Sequence, residues 1–301
     1  MIYVHVPFCL SFCRYCDFYS ERCRGGQAEE FDAYIEDLCA EARLRRGQIL
    51  ETMSGVRTLY IGGGTPSVMP HRFFKELLEA LPEGPFEEFT VEVNPEDVVR
   101  RGAGYLRTLR GFGVNRISMG VQSFDDGVLR WMGRRHNART AVEAYRLIRS
   151  AGFDNVSLDI IFGIGSWDGG RASDGRGTFT REMLSETLDQ ILALGPEHIS
   201  AYQLSIEEGS QLAMDLDAGK YAEASDDECA GQYSMICARL QEAGYRHYEI
   251  SNWARPGREA VHNSAYWARV PYVGLGPGAH SLEISRGGRQ RRSWNSESLT
   301  A

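Results

Sequence analysis

Residues 2–16 read IYVHVPFCLSFCRYC, a β-prone segment that runs directly into three closely spaced cysteines. Cys9, Cys13 and Cys16 have the spacing C-x3-C-x2-C, which the packing of small apolar side chains does not explain. A structural zinc ion needs four protein ligands, and the nearest further candidate, His5, lies on the predicted strand itself. Three thiolates instead suit a [4Fe–4S] cluster in which one iron keeps an open coordination position. The sequence therefore predicts a cluster site after the first strand, with zinc as the alternative.

The segment 2–7 is the first of six that share one pattern: a β-prone run, a polar or glycine-rich tip and a helical stretch. The predicted strands are residues 2–7, 56–61, 89–93, 115–119, 155–162 and 198–204. The predicted helices are residues 28–46, 71–81, 98–110, 139–151 and 180–194. Strands that alternate with helices pair in parallel through right-handed crossovers. We therefore predict an α/β fold, a partial (β/α)6 TIM-like barrel, with reactive loops beyond the carboxyl ends of its strands.

The pattern changes after residue 206. The downstream segments HYEISNWA (residues 247–254) and YVGLGPGAHS (residues 272–281) indicate short strands with glycine turns. We divide the chain into a partial-barrel domain, residues 1–206, and a small β-containing C-terminal extension, residues 207–301. Residues 166–177, SWDGGRASDGRG, show no hydrophobic periodicity and predict a flexible loop.

Composition restricts the classes of function. The chain has 301 residues and a formal net charge of −8, which disfavours binding to a nucleic-acid backbone. No apolar run approaches the roughly 20 residues that span a bilayer, and the N-terminal segment does not resemble a signal peptide. The 7 cysteines indicate reduced thiols or metal ligands rather than a disulfide framework. We therefore expect a cytosolic protein with no nucleic-acid partner and no membrane span.

Two further strand ends carry groups that suit a small ligand. Gly63, Gly64 and Thr65 follow the second predicted strand, and glycine lets backbone groups approach a ligand without hindrance from a Cβ atom. Glu92 alternates with two valines in TVEVNPE, which predicts that it points to the opposite face, into the barrel mouth. Taken alone, these features also fit a simple turn and a solvated surface charge.

The segment HVPFCLSFCRYCDF resembles the cluster motif of the radical S-adenosylmethionine (SAM) superfamily. The resemblance implies that SAM chelates the fourth iron of the cluster through its amine and carboxylate. In that superfamily an electron from the reduced cluster cleaves a carbon–sulfur bond of SAM and gives a 5′-deoxyadenosyl radical. The resemblance therefore implies a [4Fe–4S] cluster on Cys9, Cys13 and Cys16, with SAM as a second cofactor.

The resemblance extends over nearly the whole chain to the coproporphyrinogen-oxidase-like branch of this superfamily, from IYVHVPFC to VGLGPGAHS. Carried over residue by residue, it implies SAM contacts at Tyr3, Tyr15, Gly63, Gly64, Thr65, Glu92, Gln122, Arg134 and Asp159. Arginine suits the SAM carboxylate because its planar fork can bind two oxygens. Glu92 would face the SAM ribose or sulfonium.

Two families within the branch compete as relatives. The oxygen-independent coproporphyrinogen III oxidase carries a further cysteine two residues after the third, where this chain has Phe18, and has a long N-terminal extension. The HemW family of haem chaperones is more similar, because it shares the C-D-F sequence that ends at Phe18 and the H-N-x-x-Y-W segment from His262 to Trp267. We therefore expect a haem chaperone, which binds haem as cargo and transfers it to an acceptor protein.

The alternative is the oxidase, which decarboxylates coproporphyrinogen III propionates to vinyl groups, and a third hypothesis is a degenerate member without activity. The resemblance implies His262 as a haem ligand, with a structural histidine as the other interpretation, and places His280 near the substrate mouth. Further partners that it implies are an electron donor and a second copy of the chain in a homodimer.

The sequence departs from the HemW pattern at two places. The loop after Gly163 reads GIGSWDGGRASDG where the family has a segment like GLPGQT, which weakens any contact inferred for that loop. Relatives continue into a small C-terminal domain beyond the GPGAHS segment. The resemblance therefore implies that this cap is missing here, through truncation or because the chain is naturally short.

Overall fold

The computed structural model describes residues 1–23, 28–169, 176–285 and 287–299. Its strands are β1 Ile2–Val6, β2 Phe8–Cys9, β3 Glu21–Arg22, β4 Thr58–Gly63, β5 Glu88–Val93, β6 Arg116–Gln122, β7 Val156–Phe162, β8 Ser166–Asp168, β9 Arg176–Thr178, β10 His198–Gln203, β11 Tyr221–Ala222, β12 Arg246–Glu249, β13 Asn252–Ala254, β14 Val273–Leu275, β15 His280–Ile284 and β16 Gln290–Trp294. Its helices are α1 Ala28–Leu44, α2 Arg46–Thr52, α3 His71–Ala80, α4 Pro95–Gly111, α5 Asp126–Trp131, α6 Ala138–Ser150, α7 Arg181–Leu194, α8 Gln211–Asp217, α9 Asp226–Glu242 and α10 Val261–Trp267.

A nine-stranded sheet forms the centre of the molecule, in the order β12-β13-β10-β7-β6-β5-β4-β1-β14. The six strands β1, β4, β5, β6, β7 and β10 run parallel, and helices connect each to the next. They are the six strands expected from the sequence, so the prediction of an α/β fold with six parallel βα units is confirmed. No helix in the described ranges is long and apolar enough to cross a bilayer.

Alternation along the parallel strands separates an apolar outer face from a polar inner face. On β5, Phe89, Val91 and Val93 are buried in the same core as the helix side chain Phe74. The residues between them point to the other side, because successive side chains of a strand alternate. The inner face of the sheet is therefore free to carry polar side chains without disturbing the helix contacts.

Strands from the C-terminal part of the chain extend both edges of the central sheet. β14 pairs in parallel with β1, and β13 pairs antiparallel with β10. Residues on both sides of position 206 thus belong to one sheet. The division into a barrel domain and an extension stays a prediction.

The prediction of a flexible loop over residues 166–177 was wrong at both of its ends. β8 and β9 pair with each other, and β8 also pairs with β11. Trp167 is buried and stacks on Trp131, with ring centroids 4.9 Å apart. Gly177 allows this closure, because a Cβ at that position would collide with the Trp167 ring. Residues 170–175 lie outside the described part of the chain.

Candidate functional site

A cavity of about 590 Å³ is lined by the inner face of the parallel strands and by the cysteine segment. This volume is in the usual range for small-molecule sites. The expected cluster ligands, SAM contacts and haem ligand all line it: Tyr3, Cys9, Cys13, Tyr15, Cys16, Gly63, Gly64, Thr65, Glu92, Gln122, Arg134, Asp159 and His262. His280 does not line the cavity; it is exposed and contacts Arg292 through its Nδ1 atom at 2.9 Å.

The segment that carries the three cysteines is held by backbone hydrogen bonds to three parts of the fold. Cys9 ends β2, and its carbonyl accepts from the Cys23 amide at 2.9 Å. The Arg14 amide donates to the Met132 carbonyl at 3.1 Å, and the Arg14 carbonyl accepts from the Leu212 amide at 2.8 Å. These anchors hold the thiols at the cavity without help from a disulfide, since all three are free cysteines.

Burial raises the pKa of the Cys9 thiol, and it raises that of Cys16 to about 12. The negative charge of the neighbouring cysteines raises these two pKa values further. A cationic group bound at the cysteines would therefore stabilise their thiolate forms. An iron–sulfur cluster supplies that positive charge, and thiolate is its usual ligand. No three His, Cys, Asp or Glu side chains in the described ranges are placed to hold a single metal ion.

The glycine-rich end of β4 packs directly against the cysteine segment. The Gly64 amide donates to the Val6 carbonyl at 2.7 Å, and the Thr65 amide donates to the Phe8 carbonyl at 2.8 Å. A Cβ at Gly64 would lie 2.8 Å from the Phe8 carbonyl oxygen and 3.1 Å from Cys9 Sγ. Glycine is therefore required here so that the two backbones can approach each other beside a ligand.

Arg134 is a buried cation at the cysteine end of the cavity. Its Nη2 donates to the Gly120 carbonyl at 2.7 Å, and its Nη1 lies 3.4 Å from Cys13 Sγ. Its Nε is buried and has no hydrogen-bond partner in the described residues. Gln122 lies nearby at a bulge of β6 and has a φ of 66°. A bulge changes the direction of a side chain relative to the rest of its strand. Arg134 thus keeps donor capacity for an anionic ligand.

Glu92 is a carboxyl group inside the barrel with two donors. Tyr60 donates its hydroxyl to one oxygen at 2.7 Å, and the Gly63 amide donates to the other at 3.2 Å. Burial nevertheless raises the pKa of Glu92 to about 7, and the negative charge of Asp159 adds to the shift. The group is therefore poised to ionise near neutrality and to respond to a cationic ligand.

Asp159 is surrounded by hydroxyl groups. Ser118 donates to one carboxylate oxygen at 2.9 Å and Ser157 donates to the other at 3.0 Å. Burial raises the pKa of Asp159, and these hydroxyls oppose the shift. Ser157 also lies 2.8 Å from His198 Nδ1, whose Nε2 lies 2.8 Å from the Tyr248 hydroxyl. A chain of hydrogen bonds thus runs from Asp159 to the strand β12.

His262 lies at the floor of the cavity with both ring nitrogens occupied. Nδ1 is 2.7 Å from Thr58 Oγ1, and Nε2 is 3.0 Å from the Tyr266 hydroxyl. Its backbone amide donates to the carboxylate of Glu88 at 3.0 Å. Burial lowers the pKa of His262 to about 3, so its ring is neutral. Coordination of haem iron would require one of these bonds to break, and the geometry favours the structural interpretation of this histidine.

Several inner-face residues of the cavity were missed by the sequence interpretation. They are Tyr60, Arg116, Ser118, His198, Ser200 and Tyr202. Each occupies a strand position that alternates with a buried apolar residue, which is the signal that could have identified them. The motifs of the sequence end at the polar tips beyond the strands, whereas these residues lie within the strands or at their first positions.

Comparison with known proteins gives consistent relatives. The profile of the Radical SAM superfamily matches residues 3–168. The haem chaperone HemW of Lactococcus lactis is 36% identical over 281 residues, which cover 92% of this chain and 68% of that protein. HemW of Mycobacterium tuberculosis is 36% identical over 285 residues, with 93% and 68% covered. Among solved structures, Escherichia coli coproporphyrinogen III oxidase HemN, titled a radical SAM enzyme, superposes with a TM-score of 0.75 at 22% identity, covering 99% of this chain and 67% of that chain.

Proposed function

The chain belongs to the radical SAM superfamily, and within it to the HemW family, and on this premise we propose that it binds haem and transfers it to acceptor proteins. The observation that carries the proposal is the 36% identity to proteins named haem chaperone HemW over more than nine-tenths of the chain. The likeness to HemN, at 22% identity, concerns the fold alone. Phe18, at the position where the oxidase has a further cysteine, also supports the chaperone.

We propose that Cys9, Cys13 and Cys16 hold the [4Fe–4S] cluster of the family. All three thiols are free of disulfides, and burial raises the pKa values of Cys9 and Cys16, so that a cluster that stabilises thiolates fits this segment. When bound, the cluster with SAM supplies one-electron reduction of the SAM carbon–sulfur bond. The protein's own contribution is to hold three thiolates at the cavity and to leave one iron open to a small ligand.

We propose further that the SAM contacts follow the order of groups along the cavity. Arg134 would bind the carboxylate, because its Nε lacks a partner and its fork matches two oxygens. The backbone of Gly63 and Gly64 would meet the methionyl amine, because both glycines line the cavity and Gly64 packs directly beside Cys9. Glu92 and Asp159 would face the cationic and hydroxyl-bearing parts of SAM, since both are buried carboxyl groups that a positive charge would stabilise.

The haem site is proposed without His262 as the iron ligand. Both nitrogens of this ring are satisfied within the protein, so its substitution should destabilise the cavity floor rather than remove a coordinate bond. Trp267, the last residue of the H-N-x-x-Y-W segment, is 58% exposed and offers an aromatic surface next to it. A haem-acceptor protein, an electron donor, a homodimer and a cytosolic location belong to the same proposal.

One anaerobic experiment tests the proposal against its rivals. The cluster is reconstituted, and haem binding, SAM cleavage and coproporphyrinogen III turnover are measured on the same sample. We expect the wild type to bind haem stoichiometrically and to form no vinyl product. If the cluster regulates the release of haem rather than its binding, Cys13→Ser should bind haem as well. Vinyl product without stable haem binding would establish the oxidase instead. A sample with a cluster, no haem binding and no turnover would indicate a degenerate member.

The role of His262 is tested with His262→Ala and His262→Gln. We expect both variants to keep the Soret spectrum of bound haem, while the melting temperature falls more for alanine, which leaves Thr58 and Tyr266 without their partner. Loss of the haem spectrum in both variants, with melting temperatures unchanged, would restore His262 as the iron ligand.

A further inference from the structure

Arg116 is a second buried cation in the cavity, and it has no assigned role. It is the first residue of β6, is 3% exposed and lines the cavity. Its Nε is buried without a hydrogen-bond partner among the described residues. A guanidinium removed from water is unfavourable unless an acceptor replaces the solvent, so this arrangement points to a missing anionic partner.

The nearby carboxyl groups do not serve as that partner. Arg116 is close enough to lower the pKa values of Glu92 and Asp159 by its charge. The oxygens of Glu92 accept hydrogen bonds from the Tyr60 hydroxyl and the Gly63 amide. Those of Asp159 accept hydrogen bonds from two serine hydroxyls. In the part of the chain that the structure describes, no carboxylate forms an ion pair with Arg116.

Thr90 supplies an independent second observation. It lies directly opposite Arg116 in the ladder between β5 and β6, so that the two side chains share one face of the sheet. Thr90 is fully buried, and its Oγ1 also lacks a hydrogen-bond partner among the described residues. Two unsatisfied polar groups thus lie on adjacent strands at one level, Arg116 at the cavity wall and Thr90 behind the lining residues.

This pair is separate from the cation at the cysteine end. Arg134 contacts the Gly120 carbonyl, and Gly120 is four residues beyond Arg116 along β6. At a rise of about 3.3 Å per residue, the two positions are about 13 Å apart along the strand. Arg116 and Arg134 therefore serve different parts of the cavity, and a ligand on one leaves the other free.

We propose that the inner end of the cavity binds a carboxylate, held by the guanidinium fork of Arg116, which lies next to Thr90 on the neighbouring strand. A planar monoanion matches the two parallel donors of the fork. A phosphate dianion is disfavoured, because Glu92 and Asp159 lie nearby and one cation cannot offset all of these charges. The carboxylate has two candidate sources, a propionate arm of haem or a small free aliphatic acid.

The test uses the full chain with its cluster reconstituted, and sodium acetate as the first probe. Thermal unfolding is followed against acetate concentration, with sodium chloride at matched ionic strength as the reference. We expect an acetate-specific rise in melting temperature for the wild type and for Arg107→Gln, a control at an exposed arginine. Arg116→Gln should weaken the acetate affinity about tenfold or more, because it removes a charged, two-pronged contact.

A second pair of variants keeps the proposal testable if Arg116→Gln fails to fold. Arg116→Lys keeps the charge but loses the fork, and Thr90→Val removes only the hydroxyl at constant shape. Arg116→Lys should bind acetate more weakly than the wild type, whereas Thr90→Val, at a residue that does not line the cavity, should bind acetate as the wild type does. The proposed role of Arg116 would be overturned if acetate raised the melting temperature of the Arg116 variants as much as that of the wild type. It would also be overturned if acetate had no effect on the wild type and the Arg116 variants bound haem as the wild type does.

The second arm identifies the source of the carboxylate, and it alone rests on the proposed function. Haem and haem dimethyl ester are titrated into the wild type and Arg116→Gln. If a propionate occupies the site, the substitution should weaken binding of haem but leave binding of the ester unchanged. If a free acid occupies it, haem binding should be unaffected while the acetate response is lost. A wild type that binds no haem would refute the chaperone function, and the acetate arm would still decide the role of Arg116.

Discussion

The raised pKa of Glu92 makes the stability of this protein depend on pH in a direction opposite to that of most carboxylates. Burial raises the pKa from 4.5 to about 7, in spite of the hydrogen bonds from Tyr60 and the Gly63 amide. Between pH 4.5 and 7 the folded state holds a proton that the unfolded state releases. Stability due to this group is therefore fully present at low pH and is lost as the pH rises to about 7.

The perturbation that tests this reasoning is Glu92→Gln, a neutral side chain of the same shape. A pKa shift of this size corresponds to about 3 kcal/mol of unfolding free energy. Glu92 is partly exposed to the cavity, and solvent screening there reduces the expected effect to about 1–2 kcal/mol. We expect the variant to match the wild type near pH 5 and to exceed it by about 1–2 kcal/mol at pH 8. Urea unfolding at pH 5, 6, 7 and 8 measures the difference, with the exposed Glu51→Gln as the matched control.

The same group should couple to a cationic ligand. If SAM binds beside Glu92, its sulfonium favours the ionised carboxylate, and wild-type binding should strengthen from pH 6 to pH 8. In Glu92→Gln this pH dependence should be reduced. A variant that is less stable than the wild type at pH 8, or parallel pH profiles for the two proteins, would refute the account of a buried proton.

Three further substitutions have effects that we predict from single contacts in the structure. Gly64→Ala should lower the iron content of the reconstituted protein, measured by iron analysis and absorbance, because its Cβ would lie 2.8 Å from the Phe8 carbonyl oxygen. Arg135→Gln should cost about 1–3 kcal/mol of unfolding free energy in urea titrations, since the fully buried Asp97 loses a charged partner at 3.0 Å. Ser225→Ala should cost about 1 kcal/mol in the same assay, because it removes the capping box at the start of α9; unchanged iron content or urea midpoints would contradict the respective contact.

The sequence was sufficient for the frame of this fold because the relevant signals are local. Each parallel strand is an apolar run that ends in a polar tip, so the observed β7, Val156–Phe162, differs by one residue from the prediction of 155–162. The position of the cysteines after β1 is equally local. The cysteines and the segment from Gly63 to Thr65 follow strand ends, which meet at one edge of a parallel sheet whatever the details of packing. The SAM contacts at Tyr3, Gln122 and Asp159 were implied by the family resemblance.

The residues that were missed depend on pairing between distant strands. Alternation with Ile117 indicates that Arg116 lies on the inner face, but only the ladder with β5 places it opposite Thr90. The paired ends of residues 166–177 were missed for a similar reason. Trp167 is ordered by Trp131 and by the strand β11, which lie far from it along the chain. His262 is held on the floor of the cavity by the hydrogen bond between its Nδ1 and Thr58 Oγ1, and no periodicity of the sequence predicts that contact.

The place of β1 between β4 and β14 has a consequence for biosynthesis. The first strand of the chain keeps one row of backbone groups open until residues 273–275 have left the ribosome and settled beside it. Until then, the segment that leads into the three thiols is an uncovered sheet edge, which invites pairing with other chains. A metal-loading factor that acts on the nascent chain would meet this edge before β14 covers it.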